Sequence, residues 1–385
     1  MKKFTKPLLV CLVVVMVASC FAGCGATTTT TDDTSATSTT TDGGTFVIGA
    51  TGPLTGDASS YGISVQQGAQ LAVDEINANG GINGCQIEFV MKDDQADPEL
   101  ASTAYDQLMD AGMIASIGST TSGACEAFAS KSESDNLFFV TPSASAATVI
   151  ADRDNGFRIC FGDPDQGELA ADYLVNTKGF TKIGAIYDTS DAYSSGIYEA
   201  FENKMVELGV EFTTQTFDAE NNKDFSSQVK AMADCEVIFT PFYYTEAGLV
   251  AKACVANGVN ALIFGADGLD GVAGQVDSSV TNEITYITPF DVNSEDEGVV
   301  AFVSAYEDKY GVTPDQFAAD AYDAVYALSQ AMEEAEVTPD MDCSDVTDLL
   351  VDVFTSMEFT GVTGNITWDE TGAPQKSLNI VTVEK

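Results

Sequence analysis

Residues 235–271 read CEVIFTPFYYTEAGLVAKACVANGVNALIFGADGLDG. Two short apolar runs, residues 236–240 and 260–264, have the look of parallel strands. Between them, residues 245–257 have the composition and length of a crossover helix, and Gly258 supplies its stop. Each run ends in a polar or aromatic loop: Phe242, Tyr243 and Tyr244 after the first, Asp267 after the second. In an open α/β sheet, ligands sit off the carboxyl ends of the strands. Asp267 and the aromatic residues are therefore expected to line one cleft.

Similar units repeat on both sides of this stretch. Upstream, strands are expected at residues 45–50, 86–91, 113–117, 137–140 and 156–160, with helices at 61–79, 98–110 and from about 124. A second run gives strands at 182–187, 211–217 and 283–287, with helices at 163–177, 197–208 and 223–233. Long helices follow at 295–310 and 316–334, then one at 346–354. Tyr322, Val325, Tyr326 and Leu328 form one apolar stripe of the second of these. The tail, residues 361–385, is expected to form two strands with a turn at 370–372. Strands of four to six residues alternating with helices describe parallel sheets covered by helices. Two such units make two lobes and a cleft.

The chain has 385 residues, 45% of them hydrophobic, enough for two domains. Sixteen basic residues stand against 59 acidic ones, a formal net charge of -43, and there is no His. Phosphate recognition needs a Lys/Arg footprint, so nucleic acid is excluded as a partner. Adsorption of the protein surface to anionic lipid is disfavoured for the same reason. Without His, a Ser–His–Asp triad is excluded, and the commonest transition-metal ligand is missing. No GxxxxGK[ST] loop or GxGxxG spacing occurs. No cofactor and no metal are expected.

Lys2, Lys3 and Lys6 precede an apolar run at residues 8–17 that is short for a membrane span. VASC (residues 17–20) and FAGC (residues 21–24) both resemble the bacterial lipoprotein box. Cys24 is the favoured lipidation site and Cys20 the alternative, which makes residues 1–23 a lipoprotein signal peptide. The Thr/Ser/Asp-rich tract at residues 24–44 cannot build a core and is expected to be a disordered tether. The six later Cys show no CxxC spacing, and their pairing is left open.

Two loops carry candidate chemistry. GSTTSG (residues 118–123) places Ser119, Thr120, Thr121 and Ser122 between a strand and a helix N-terminus, where free N–H groups with hydroxyls beside them can hold a carboxylate. An N-cap cluster that binds nothing is the alternative. TPSASA (residues 141–146) repeats the pattern with Ser143 and Ser145. Asp267 could pair with an ammonium group, or simply cap the turn that follows it. Tyr61, Tyr193, Phe242 and Tyr243 are candidate walls.

Several pieces together resemble the periplasmic-binding-protein family of leucine/isoleucine/valine type, the extracytoplasmic receptors of branched-chain amino acid ABC transporters. They are IGATGPLTGDASSYG (48–62), GAQLAVDEINANGGING (68–84), GSTTSG, TPSASA, ADAYDAVYAL (319–328) and FTGVTGNITWDETG (359–372). The resemblance runs from about Phe46 to the C-terminus. It implies an α/β clamshell of two Rossmann-like lobes joined by three crossovers. Lobe 1 would hold residues 45–162 and 290–352, and lobe 2 residues 163–289 and 353–385. It implies a carboxylate site at Ser119, Ser143 and Ser145, with Tyr193 opposite. The ammonium ligand, usually Glu in that family, falls on Asp267, one methylene shorter. The implied function is delivery of a free amino acid, leucine, isoleucine or valine first, to an ABC permease. A monomer anchored outside the cytoplasm is expected. A sensor signalling to a membrane receptor is the alternative, and an enzyme on the same scaffold a more distant one.

The anchor is open to direct test. Metabolic labelling with a palmitate analogue is expected to mark the wild type and Cys20→Ser but not Cys24→Ser; label retained on Cys24→Ser would move the site.

Overall fold

The computed structural model describes residues 44–383. The expected signal peptide, both lipidation candidates and the tether up to residue 43 lie outside the described residues. Among the described residues no helix is long and apolar enough to cross a membrane.

The first sheet is built from β1 (Thr45–Gly52), β2 (Gln86–Asp93), β3 (Met113–Ser119), β4 (Phe139–Thr141) and β5 (Gly156–Arg158). Its order is β2-β1-β3-β4-β5, with every neighbouring pair parallel. β3, MIASIGS, is buried along its whole length, as a central parallel strand covered on both faces must be. The connecting helices are α1 (Ser59–Ala78), α2 (Pro98–Asp110) and α3 (Ser122–Asp135). Asp97 caps α2 through the N–H groups of Glu99 and Leu100, with Pro98 in the first turn. Both choices suit a helix start.

After β5 the chain crosses into α4 (Asp163–Asp172). It continues through β6 (Ile183–Asp188), α5 (Ala192–Leu208), β7 (Thr213–Phe217), α6 (Ser226–Ala231), β8 (Val237–Thr240), α7 (Tyr244–Asn257), β9 (Leu262–Gly265) and β10 (Ile284–Thr288). Residues 235–271 hold β8–α7–β9 and the turn that follows. Gly258 ends α7 in the left-handed region at φ 69°, where a side chain is disfavoured. α5 begins five residues before the expected 197, so Tyr193 lies in its first turn rather than in a loop.

A second crossover at residues 289–296 leads to α8 (Glu297–Tyr310), α9 (Gln316–Glu334) and α10 (Cys343–Phe354), which return to the first sheet. Along α9, Val325 and Leu328 are fully buried. Tyr322 and Tyr326 are half-buried instead, and their hydroxyls share Glu75. The tail forms β11 (Glu358–Gly361), β12 (Gly364–Trp368), β13 (Pro374–Gln375) and β14 (Asn379–Thr382). The first three make a small antiparallel sheet. β14 joins the second sheet antiparallel to β10, giving the order β14-β10-β9-β8-β6-β7.

Two expectations for the tail need correction. Residues 361–385 hold three short strands and the end of β11 rather than two strands, and residues 358–375 pack on lobe 1 rather than lobe 2. Trp368 decides this. Its ring packs 4.9 Å from Phe354, and its Nε1 donates to the Arg158 carbonyl over 2.7 Å. A buried indole needs both an apolar bed and an acceptor, and the β5 edge of lobe 1 offers them. Only β14 crosses back, through residues 376–378. The result is a two-lobed α/β clamshell with three crossovers. The six Cys at 85, 125, 160, 235, 254 and 343 are all free thiols.

α1 and α9 cross backbone to backbone at Gly68, where an added Cβ would lie 2.0 Å from the Ala318 carbonyl oxygen. Neither backbone can yield as a flexible side chain would. Gly68→Ala is expected to destabilise the protein by about 1–3 kcal/mol or more, measured by urea unfolding; an unchanged midpoint would contradict the close crossing.

Candidate functional site

Loops from both lobes enclose a cavity at the carboxyl ends of the strands. The first-lobe wall is Tyr61, Thr120, Thr121, Ser122, Ser143 and Phe317; the second-lobe wall is Tyr193, Tyr243, Asp267 and Gly268. Its free volume is about 20 Å³, room for about one water. The lobes are thus drawn tightly together, and a larger solute enters only when they part.

The first-lobe wall is a helix start. Thr121 is the N-cap of α3, yet no side chain caps that helix. Thr121 Oγ1 is buried without a hydrogen-bond partner. The first N–H groups of a helix have no partner within the helix and attract an anion. Ser143 Oγ donates to the Thr120 carbonyl over 2.6 Å, fixing the loop from the neighbouring strand.

The second-lobe wall is an acid held by a phenol. Asp267 is 4% exposed. Its Oδ1 accepts from the Tyr193 hydroxyl at 2.6 Å, and its N–H donates to Gln166 Oε1 at 2.9 Å. The Tyr193 oxygen in turn accepts from the Gly268 N–H at 2.8 Å. Burial pushes the Asp267 carboxyl up to about 6; hydrogen bonds from Tyr193 and Gln166 oppose the rise, and the nearby Asp320 charge adds to it. No salt bridge to Asp267 occurs among the described residues. Among the described residues, the site has a buried negative charge and no positive one to match it.

Aromatic rings close the space between these walls. Tyr193 stacks on Tyr243 at 5.2 Å. Tyr61 meets Tyr243 edge-on at 5.5 Å and lies 4.4 Å from Phe317. The Tyr61 hydroxyl donates to the Gly268 carbonyl and accepts from the Tyr244 N–H at 3.1 Å. One phenol of lobe 1 therefore holds two loops of lobe 2.

Of the residues expected from sequence, Thr120, Ser143, Tyr193, Asp267, Tyr61 and Tyr243 meet in this cavity. Three do not. Ser119 Oγ is bonded to Thr51 Oγ1, because Ser119 is still in the β3 ladder, paired with Thr51. Ser145 lies behind the wall, where its carbonyl accepts from Asp163 N–H at 3.0 Å and from Arg158. Phe242 packs into lobe 2 against Phe217 at 5.1 Å. Thr121 and Ser122, named in the sequence with their loop, line it as well. Sequence reasoning missed Phe317, which lines the cavity, and Gln166, which accepts from the Asp267 N–H; both lie on helices and carry no local signal.

A family model described as periplasmic binding protein matches residues 45–385. The Leu/Ile/Val-binding protein homolog 3 of Brucella melitensis is 28% identical over 291 residues, covering 75% of this chain and 78% of the relative. Among solved structures, the leucine binding protein of Thermotoga maritima is 27% identical, with a TM-score of 0.80 over 88% of this chain and 95% of the other. A solute binding protein of R. palustris in complex with benzoate shares the fold at 20% identity, with a TM-score of 0.77 over 87% and 92% of the two chains.

The raised Asp267 carboxyl makes a stability prediction with a definite sign. Its folded pKa of about 6 exceeds the ordinary value of about 3.9. Ionising it therefore costs stability, beginning near pH 4 and complete above pH 6. Ligand-free Asp267→Asn is expected to be more stable than wild type at pH 8, by at most about 3 kcal/mol, and little changed at pH 4. Urea unfolding at the two pH values measures this, and equal differences at both would contradict it.

Proposed function

The chain belongs to the periplasmic binding protein family, and from that premise we propose that it is the receptor of an ABC transporter for a free α-amino acid. Members of this family bind solutes rather than transform them, and this protein is an extracytoplasmic solute-binding protein of that kind. In the proposed complex the ligand carboxylate lies at the α3 N-terminus, against Thr121, Ser122 and Ser143. Its ammonium pairs with Asp267, and its side chain lies among Tyr61, Tyr193, Tyr243 and Phe317. Leucine, isoleucine and valine are the first candidates, ahead of alanine or an aromatic amino acid. A lipid anchor at Cys24, or at Cys20, would hold the receptor beside its permease.

One observation carries this reading: Asp267 is buried, with no counter-ion among the described residues. An amine-free acid such as benzoate would leave that charge unpaired between the lobes, a costly arrangement. An α-amino acid brings the missing cation and a carboxylate for the opposite wall. Ammonium binding needs the ionised carboxylate. Affinity is therefore expected to fall about tenfold per pH unit below about pH 6.

Calorimetry of the full chain with leucine and its deamino analogue tests the assignment. Asp267→Asn is expected to cost leucine about 2–5 kcal/mol and the deamino analogue much less. Equal losses for both would remove Asp267 as the ammonium ligand. Selective binding of the amine-free acid by wild type would overturn the amino-acid reading.

A further inference from the structure

We propose that closing the lobes takes up one proton, shared between Asp270 of lobe 2 and Asp315 of lobe 1. The inference rests on this protein opening and closing as a solute receptor, and not on which solute it carries.

Beside the ligand cavity is a second cavity of about 330 Å³, between the β9 turn, the second crossover and the start of α9. Asp270 and Asp315 both line it, one from each lobe. They are brought together by Gln316, the residue after Asp315. Its backbone N–H donates to Asp270 Oδ2 at 3.2 Å, and its side-chain amide donates to the Asp267 carbonyl at 2.8 Å. Lobe 1 thus grips the Asp267–Asp270 turn at both ends through one residue. Asp315 is fixed from its own side. Its Oδ1 caps α9 through the Ala318 N–H at 3.0 Å, and its Oδ2 accepts from Ser64 Oγ of α1 at 2.6 Å.

Among the described residues no Lys or Arg lines this cavity. The titratable groups that face the pair are Tyr286 of β10, Tyr306 of α8, Tyr61 of α1, Asp267 of the same turn, and Asp291 of the crossover. Each is neutral or negative at neutral pH. Two carboxylates drawn together without a cation cannot both stay ionised cheaply. Asp270 and Asp315 are each half-buried; that desolvation and then the Asp270 charge push Asp315 up to about 7, against hydrogen bonds from Ser64 and the α9 N–H groups. Asp270 is raised as well, chiefly by burial, with the Gln316 N–H and the Tyr286 hydroxyl opposing the rise.

When the lobes part, each half-buried carboxyl is hydrated fully and its pKa falls to the ordinary value of about 3.9. The closed form therefore holds a proton that the open form releases at neutral pH. Because the folded, closed value is the raised one, closure is favoured below about pH 7 and weakens as pH rises through it. The drop in affinity below pH 6 expected from Asp267 has the opposite sign, so the two acids bound a window. Within that window Asp267 is charged while the Asp270–Asp315 pair still shares a proton.

Small-angle scattering of the unliganded full chain at pH 5.5 and pH 9 tests the latch. Wild type is expected to show a larger radius of gyration at pH 9. Asp315→Asn, which keeps an N-cap side chain, should show the same radius at both pH values. Asp270→Asn should behave likewise and covers the case in which the first variant fails to fold. An unchanged radius in wild type, or an equal change in the variants, overturns the proposal. A second arm adds leucine at pH 6 in buffers of different ionisation heat. Wild type is expected to take up nearly one proton more per leucine bound than Asp315→Asn. Equal uptake by both proteins also overturns the latch. Failure of leucine to bind at any pH counts against the proposed solute alone, and leaves the scattering result to judge the latch.

Discussion

The peptide joining Asp267 to Gly268 is where the two lobes are fastened. Its neighbours leave little of it unbonded. Tyr193 donates to the carboxylate, Gln316 donates to the Asp267 carbonyl, and Tyr61 donates to the Gly268 carbonyl. Tyr61 and Gln316 belong to lobe 1, Tyr193 to lobe 2. A buried turn requires its polar groups to be paired, so these partners cannot leave one at a time without cost. Opening the cleft means transferring the Tyr61 and Gln316 contacts to water together. That makes closure a choice between two arrangements rather than a gradual slide.

The same helix that grips the turn also fixes the third crossover. Lys376 has a fully buried side chain. Its ammonium bonds Asp320 of α9 at 3.0 Å and Thr363 Oγ1 at 2.9 Å. Asp323, one turn further along, takes the backbone N–H groups of Val362 and Thr363. A buried pair of this kind contributes little net stability, but losing one partner is severe. It pins residues 361–376 to the axis on which Phe317 and Gln316 are mounted. The excess of acid over base in this chain gives the pair added weight, because few cations are present to replace Lys376.

Much of the fold was legible because parallel strands and their helices write a strong local pattern. α2 and α9 fall where the capping and stop residues place them. The site was legible where a side chain follows a strand end, as Asp267 and Ser143 do. It failed where the strand end itself was misplaced. β3 runs two residues beyond the expected 117, so Ser119 remains in the ladder, while Thr121 and Ser122 begin the helix that faces the cavity. With a period of two, so small an extension decides which hydroxyls line a wall. Phe317 and Gln166 could not be found this way. Phe317 reaches the cavity, and Gln166 the Asp267 N–H, through packing between segments more than a hundred residues apart, and nothing in their own surroundings marks them. The tail went astray for a related reason: whether Trp368 belongs to one lobe or the other is settled by the acceptor it meets at Arg158, not by its neighbours in sequence.

The three crossovers also impose an order of assembly. Almost all of lobe 2 is one continuous run, from α4 to β10, and its core can form as soon as that run is available. Lobe 1 has to wait. α1 packs against α9, some 250 residues later, and the β5 edge is covered only when Trp368 arrives. Contacts between such distant segments slow folding, because the chain loses its freedom before those contacts compensate. Until α9 docks, one flank of the first sheet and the apolar face of α1 are left open to solvent. The half that begins the chain is therefore the half that matures last.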